Sequence, residues 1–271
     1  MPAPTEHRSE LDGQPVFWRS APSGSATPTL YVHGVPTSAD DWTPFLRLGG
    51  GIAPDLPGFG RSGKRADGPY TMEGYDGWLE AFLDHVEVER FRLVVHDWGA
   101  VGLLLAQRFP ERVERLVIVN AVPFLPGYRW HRLARLWRTR WAGELFMGAT
   151  SRFALKQLTR NSNATKGPMP DAFLDSVMAG LDLGTQRAIL RLYRTSPSEK
   201  LALAGLGLGR LDCPALVVWG DRDPYIPAEF ADAYAAALGP GAELLRLPDA
   251  GHWPWLDRPD LVGTVVDFLS A

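Results

Sequence analysis

The residue with the clearest chemical potential in this chain is an aspartate on a predicted turn between a strand and a helix. Residues 91–95 are apolar and rich in β-branched types, which predicts a buried strand. Residues 101–109 follow with helical spacing, so we predict that Asp97 lies where the strand turns sharply into the helix. Such a turn exposes a nucleophile beside backbone N–H groups. Aspartate is also a favoured helix N-cap, so the turn alone leaves a purely structural role open.

A carboxylate nucleophile supports different chemistry from a serine. Its attack on a carbonyl carbon would give a high-energy anhydride, whereas attack on a saturated carbon that bears a leaving group gives an ordinary alkyl ester. Water can then cleave that ester at the Asp97 carbonyl carbon if a general base and an oxyanion hole are present. A nucleophilic Asp97 therefore predicts a substrate with an electrophilic saturated carbon. Epoxides and alkyl halides are the obvious classes.

Candidates for the base and its orienting acid follow two later strands. His252 comes just after the last predicted strand, and we expect it to activate the water. Asp221 and Asp223 both follow the preceding strand, and Asp223 is favoured because it lies on a turn closed by Pro224. The acid would hold the histidine tautomer and stabilise the imidazolium. The order of nucleophile, acid and histidine is that of a hydrolase with a nucleophile elbow.

An oxyanion hole can be formed from two backbone amides. The sequence His33-Gly34-Val35 ends a predicted strand, and we expect the N–H groups of Val35 and Trp98 to hold the oxyanion that forms on Asp97. Substrate contacts are expected from the residues that flank these motifs: Trp98, Val35, Trp42 and Trp253.

The elements that must position these residues alternate along the chain. Strands are predicted at 16–20, 29–33, 51–55, 91–96, 113–120, 215–220 and 243–248. Helices are predicted near 39–47, 71–86, 98–109, 228–237 and 259–269. This alternation predicts an α/β fold with a parallel sheet covered on both faces.

The pattern changes in the middle of the chain. Strand signals stop between residues 121 and 209, while Arg, Leu and Trp recur at helical spacing. We therefore predict an α/β core made of residues 1–121 and 210–271, interrupted by an all-helical cap of residues 122–209.

Composition excludes several functional classes. The chain has 271 residues, 45% of them hydrophobic, and a net charge of −3, so no basic surface for nucleic acid is indicated. The N-terminus has no apolar signal segment, and no stretch is long enough to span a bilayer. Cys213 is the only cysteine. We expect a cytoplasmic monomer or homodimer that acts on a small molecule without a cofactor or metal.

Taken together, the motifs resemble the epoxide hydrolase and haloalkane dehalogenase branch of the α/β-hydrolase superfamily. The resemblance extends over essentially the whole chain and rests on five segments: 33–36, 55–62, 96–99, 220–224 and 251–253. It implies the α/β-hydrolase fold, with a mostly parallel central sheet flanked by helices and a helical cap. It also implies that Asp97, Asp223 and His252 form the catalytic triad.

The same resemblance bears on the leaving group. Epoxide hydrolases supply cap tyrosines that protonate the epoxide oxygen, and the resemblance implies this role for Tyr193 and Tyr128. Haloalkane dehalogenases are similar at Trp98, but one large group of them has Asn where this chain has Val35. Haloacid dehalogenases have Arg at the position of Trp98. We therefore expect an epoxide hydrolase, with haloalkane dehalogenation as the alternative. The intact triad argues against a third hypothesis, a catalytically silent binding protein.

Overall fold

One eight-stranded sheet forms the centre of the molecule. The computed structural model describes residues 3–271, so the first two residues of the predicted core segment 1–121 lie outside the described part. The strands are β1 (Thr5–Leu11), β2 (Gln14–Ala21), β3 (Thr29–Val32), β4 (Gly51–Pro54), β5 (Phe91–Asp97), β6 (Val113–Ala121), β7 (Ala215–Gly220) and β8 (Ala242–Leu247). They are ordered β1-β2-β4-β3-β5-β6-β7-β8.

The sheet is mostly parallel, as predicted. Strands β3 to β8 run parallel to one another. The antiparallel pairs are β1–β2 and β2–β4. Both faces of the central strands are covered, because Leu93 and Val95 of β5 pack into one apolar cluster while Val94 packs into another. Burial on both faces explains why these strands are continuous apolar runs rather than alternating ones.

All seven predicted strands are present, and β1 is an eighth that was not predicted. Strand β1 is a polar edge strand, so it lacks the apolar alternation by which strands are recognised. It pairs with β2 through a two-residue turn at Asp12 and Gly13, whose φ angles are both positive. Asp-Gly is a strong signal for such a hairpin.

Twelve α-helices in the described part of the chain flank or cap the sheet. They are α1 (Thr43–Gly49), α2 (Met72–His85), α3 (Gly102–Arg108), α4 (Arg132–Arg138), α5 (Ala142–Gly148), α6 (Arg152–Leu158), α7 (Asp171–Gly180), α8 (Leu183–Thr195), α9 (Ser198–Ala204), α10 (Glu229–Leu238), α11 (Pro254–Asp257) and α12 (Leu261–Ser270). The predicted helices at 39–47 and 98–109 each begin as a short 3-10 turn. None of the helices in residues 3–271 has the length and apolarity needed to cross a membrane.

Residues 122–209 contain six of these helices, α4 to α9, and no strand. Helix α8 packs against α4 and α5. Asp182 caps its N-terminus, and the Asp182 carboxylate accepts a hydrogen bond from the Thr185 N–H at 2.9 Å. Ile189, Leu192 and Tyr193 are buried on this helix at helical spacing. The pattern presents Tyr193 to the interior of the molecule.

Helix α2 offers a test of the packing around its glycines. Gly77 is exposed, and a Cβ atom there would meet nothing within 4 Å, whereas a Cβ at Gly74 would lie 2.6 Å from the Pro69 carbonyl oxygen. Gly77→Ala is expected to raise the free energy of unfolding by about 0.5–1 kcal/mol, because alanine loses less backbone entropy in a helix. Gly74→Ala should lower it. Urea denaturation measures both, and a stabilising Gly74→Ala would contradict the close contact.

Candidate active site

Asp97 lies at the carboxyl end of β5 in a backbone conformation that side chains rarely adopt. Its φ is +49°, in the left-handed region. Two glycines allow neighbouring segments of the backbone to come close to Asp97. A Cβ at Gly99 would lie 2.1 Å from the Val32 carbonyl oxygen, and one at Gly34 would lie 2.4 Å from the Asp97 Cβ. The sharp turn and the loop after β3 therefore meet at the Asp97 carboxylate.

The Asp97 carboxylate is buried and held by backbone amides. The Val35 N–H donates to its Oδ1 at 2.8 Å. Burial raises the pKa of Asp97 above its ordinary value, while His252 and the amides of Val35 and Trp98 act in the opposite direction. These two amides are the groups that we predicted for the oxyanion hole. In this arrangement they face the carboxyl group on which an oxyanion would form.

Asp223, and not Asp221, contacts the histidine. The Asp223 Oδ2 lies 2.7 Å from His252 Nδ1, and its Oδ1 accepts hydrogen bonds from the amides of Tyr225 and Ile226. Asp221 instead pairs with Arg246 at 2.7 Å. The turn that follows β7 therefore directs one carboxylate into the site and the other away from it.

His252 connects the acid to the nucleophile. Its Nε2 lies 3.6 Å from Asp97 Oδ2, while Nδ1 faces Asp223. Burial disfavours the charged imidazole, but the carboxylates of Asp223 and Asp97 outweigh it, so the pKa of His252 is raised. The backbone carbonyl of His252 accepts a hydrogen bond from His96 Nε2 at 2.8 Å. The three predicted triad residues thus form one connected group.

Asn120 is a member of this group that our sequence analysis did not identify. Its Nδ2 donates to Asp223 Oδ2 at 2.9 Å, and its Oδ1 accepts from the Gly220 N–H at 2.8 Å. The side chain therefore ties the acid to the end of β7. A signal was available, because Asn120 is a polar residue near the carboxyl end of an otherwise apolar strand.

The loop of His252 is also fastened to the helical segment. The His252 N–H donates to the Ser162 carbonyl at 2.7 Å. The Asp257 Oδ2 accepts from the amides of Gly251 and Ala164, both at 2.9 Å. The hydroxyls of Tyr225 and Ser162 lie 2.7 Å apart. We call residues 162–165 the clamp segment, because it contacts the base through its own backbone.

Asp97 and His252 open into a cavity between the sheet and the cap helices. Its walls are almost entirely apolar and aromatic, and both tyrosines that we proposed as proton donors are among them. Further rings come from Trp130, Trp137, Phe146, Phe173, Tyr225 and Trp253. A small neutral organic molecule fits such walls.

The ring of Tyr193 is fixed by three tryptophans. Its centroid lies 5.2 Å from that of Trp98, 4.9 Å from Trp130 and 5.0 Å from Trp137. Burial raises the pKa of Tyr193 well above that of a free phenol, and the nearby Asp97 carboxylate raises it further. The phenol therefore stays protonated at neutral pH and can act as a donor.

Tyr128 lines the same cavity, but its hydroxyl already forms a hydrogen bond. Its hydroxyl donates to the Tyr225 carbonyl over a long 3.4 Å. Burial raises the pKa of Tyr128, and Asp97 and Asp223 add to the effect. This tyrosine is therefore also protonated, although its hydrogen is directed toward a backbone acceptor.

The structure places the four expected substrate contacts in two different environments. Val35 and Trp253 line the cavity, whereas Trp98 and Trp42 do not. The Trp98 indole is covered by the stacked ring of Trp130 and by the edge of Tyr193. The Trp42 side chain is fully buried in the core, where it packs on three aromatic residues: Tyr31, Phe45 and Trp255.

Comparison with known proteins establishes the family of the chain. A family model described as the alpha/beta hydrolase fold matches residues 27–259. A haloalkane dehalogenase of Mycolicibacterium paratuberculosis is 32% identical over 265 residues, which span 90% of this chain and 84% of that protein. This chain belongs to the α/β-hydrolase superfamily.

Solved structures of the same fold include both expected activities. The haloalkane dehalogenase DbeA from Bradyrhizobium elkani superimposes with a TM-score of 0.84 at 23% identity, over 98% of either chain. The epoxide hydrolase CorEH gives a TM-score of 0.82 at 20% identity, over 98% of this chain and 99% of that one. At these identities the likeness concerns the fold alone. The dehalogenase relative at 32% identity confirms that this hydrolase falls in the branch that the motifs indicated.

The two aspartates after β7 provide a matched pair of variants. Asp223→Asn removes the charge beside His252 and should reduce kcat by several orders of magnitude, since loss of the acid in a serine protease costs about 10⁴-fold. Asp221→Asn changes the net charge equally but should leave kcat nearly unchanged. Steady-state kinetics on any epoxide or haloalkane that the enzyme converts measures both, and the reverse ranking would refute the assignment.

The clamp segment generates a second prediction. Asp257→Ala should slow hydrolysis of the alkyl ester about tenfold or more, because a small displacement of a catalytic group has large kinetic effects. Formation of the ester by Asp97 should be unaffected. Rapid-quench mass spectrometry resolves the two steps.

Asp257→Asn keeps one acceptor oxygen and should restore part of the rate of ester hydrolysis. Asp249→Ala serves as a control, since Asp249 pairs with Arg258 on the surface near the same loop. Equal slowing of both steps, or a lowered melting temperature alone, would mean that Asp257 only supports the fold.

Proposed function

We propose that this hydrolase is an epoxide hydrolase that converts an epoxide to a vicinal diol. The observation that carries the proposal is the cavity that Asp97 and Tyr193 both line. An opening epoxide leaves as a strongly basic alkoxide, so it needs a proton at the moment of attack. A protonated phenol in the same cavity as the nucleophile meets that need.

In the first step, an Asp97 carboxylate oxygen attacks one epoxide carbon. The carbon–oxygen bond of the ring breaks, and the ring oxygen takes the proton of Tyr193. The product is a hydroxyalkyl ester of Asp97 and a tyrosinate. Tyr128, which lines the same cavity, is the second candidate donor in this step.

In the second step, His252 removes a proton from water, and the resulting hydroxide attacks the Asp97 carbonyl carbon. The amides of Val35 and Trp98 stabilise the oxyanion, and Asp223 stabilises the imidazolium. The oxyanion collapses with cleavage of the ester bond. The diol leaves, Asp97 regains its carboxylate, and the proton on His252 replaces the one that Tyr193 gave up.

The residues beside Asp97 favour an epoxide over a halide. A halide leaves as an anion that is stabilised by N–H donors, yet the Trp98 indole lies behind Trp130 and Tyr193, and Val35 has no side-chain donor. Among the described residues that line the cavity, none is a lysine or an arginine. A carboxylate next to the reacting carbon would therefore be unpaired and close to Asp97.

Haloalkane dehalogenation is the second candidate, and two observations favour it. The Mycolicibacterium relative at 32% identity is a haloalkane dehalogenase. The buried indole N–H of Trp137, which lines the cavity, has no hydrogen-bond acceptor among the described residues. That N–H is available to a halide, and the same Asp97 and His252 chemistry would follow.

Tyr193→Phe distinguishes the two candidates, since it keeps the ring and removes the donor. The wild-type enzyme is assayed on terminal epoxides and on bromoalkanes of equal chain length, with detection of diol and bromide. We expect diol formation by the wild type and a loss of about 10²-fold or more in Tyr193→Phe, the usual contribution of a general acid.

A wild-type enzyme that releases bromide and opens no epoxide would establish the dehalogenase instead. A Tyr193→Phe variant that opens epoxides at the wild-type rate would show that Tyr193 only packs against its three tryptophans. Tyr128→Phe, measured alongside, determines whether the other phenol compensates.

A further inference from the structure

The cavity has a boundary with an open surface groove. Four side chains, those of His131, Leu133, Leu158 and Tyr225, line both the cavity and the groove. The groove adds Arg132, Arg135 and Pro224. We call the four shared residues the throat, because they separate the apolar interior from the surface.

The outer side of the throat is positively charged. Arg132 and Arg135 are exposed on α4, and within residues 3–271 neither guanidinium forms an ion pair. Residues 129–140 contain five arginines and no acidic residue, in a chain of net charge −3. A local concentration of one charge at the opening of a cleft attracts ligands of the opposite charge.

His131 adds a directed neutral donor at the throat. Its Nδ1 accepts a hydrogen bond from the Ala134 N–H at 3.3 Å, so in the neutral ring the hydrogen is on Nε2. Burial lowers the pKa of His131 to about 4, and the charge of His252 contributes in the same direction. At neutral pH the ring is therefore uncharged and offers an Nε2–H donor.

The inner side of the throat has the opposite character. The wall toward the cap is aliphatic and aromatic, and includes Phe146, Met147, Leu155 and Leu181. It suits a hydrocarbon chain. An anion placed inside would meet Asp97 without a lysine or arginine among the described lining residues, whereas one left in the groove would meet two guanidinium groups.

We propose that the substrate is an amphiphile, with an apolar chain that carries the epoxide into the cavity and a terminal carboxylate that stays in the groove. Arg132 and Arg135 bind that carboxylate, and the His131 Nε2–H contacts it at the throat. This inference rests on the proposed function, since it names the substrate class of the same site. Guanidinium groups are well matched to a carboxylate in geometry as well as charge.

The test compares the ω-epoxide of undecanoate with its methyl ester, which differs only in the terminal charge. At low ionic strength, kcat/KM of the wild type should be about tenfold higher for the carboxylate, and added salt should narrow the difference. Arg132→Gln/Arg135→Gln should reduce kcat/KM for the carboxylate about five- to tenfold, mainly through KM, since exposed ion pairs are individually weak. Turnover of the methyl ester should not change, which also shows that the variant is folded.

A matched control is Arg140→Gln/Arg160→Gln. It removes the same net charge from exposed arginines of the helical segment that do not line the groove. An equal loss in this control, or equal kcat/KM for carboxylate and methyl ester in the wild type, would overturn the proposal.

Failure of the proposed function would be recognised separately. If the wild type opens neither epoxide but releases bromide from ω-bromoundecanoate or its methyl ester, the epoxide assignment is wrong. The Arg132→Gln/Arg135→Gln variant and the Arg140→Gln/Arg160→Gln control then test the groove with ω-bromoundecanoate and its methyl ester. A carboxylate preference that depends on Arg132 and Arg135 would still support an amphiphilic substrate.

Discussion

The carboxylate of Asp97 must stay ionised and accessible inside a buried, apolar region. The rest of the site depends on how this is achieved. Burial of Asp97 acts against its ionisation. The Val35 amide and the imidazole of His252 counteract it, and the left-handed turn at the end of β5 directs the carboxylate toward both. Gly34 and Gly99 are needed because the backbone comes too close for a Cβ. The position of the Asp97 carboxylate therefore depends on backbone geometry as much as on side-chain chemistry.

His252 is held by contacts from three separate parts of the chain. Asp223 holds one side of the ring, His96 and Ser162 hold its backbone, and Asn120 holds Asp223 in turn. Each contact provides a hydrogen-bond partner for a buried polar group. A buried polar group without a partner would destabilise the fold, because the interior has a low dielectric constant. The position of the His252 imidazole consequently depends on contacts from the sheet and from the helical segment together.

The sequence predicted the parts of this protein that have a local signature. Buried parallel strands are apolar runs, and the triad lies in short motifs at strand ends, so both could be recognised without a structure. Strand β1 was missed because its pattern is polar, although Asp12-Gly13 marked the hairpin. Other features depend on packing between distant segments, which composition and spacing do not encode. Trp98 is next to the nucleophile in sequence and yet is covered by Trp130, while Asn120 and Ser162 reach the triad from elsewhere.

The hydrogen bond from the His252 amide to the Ser162 carbonyl has a consequence for engineering. Residues 122–209 form most of the wall of the cavity, so this segment is the part to exchange when a different substrate range is wanted. Here an exchanged cap without a carbonyl at that point would leave a buried N–H unpaired, at a penalty of about 1–3 kcal/mol. It would also remove one of the contacts that hold the backbone of His252 in place. Chimeras and loop libraries of this protein should therefore keep residues 162–165 together with the core, even though those residues belong to the cap in sequence.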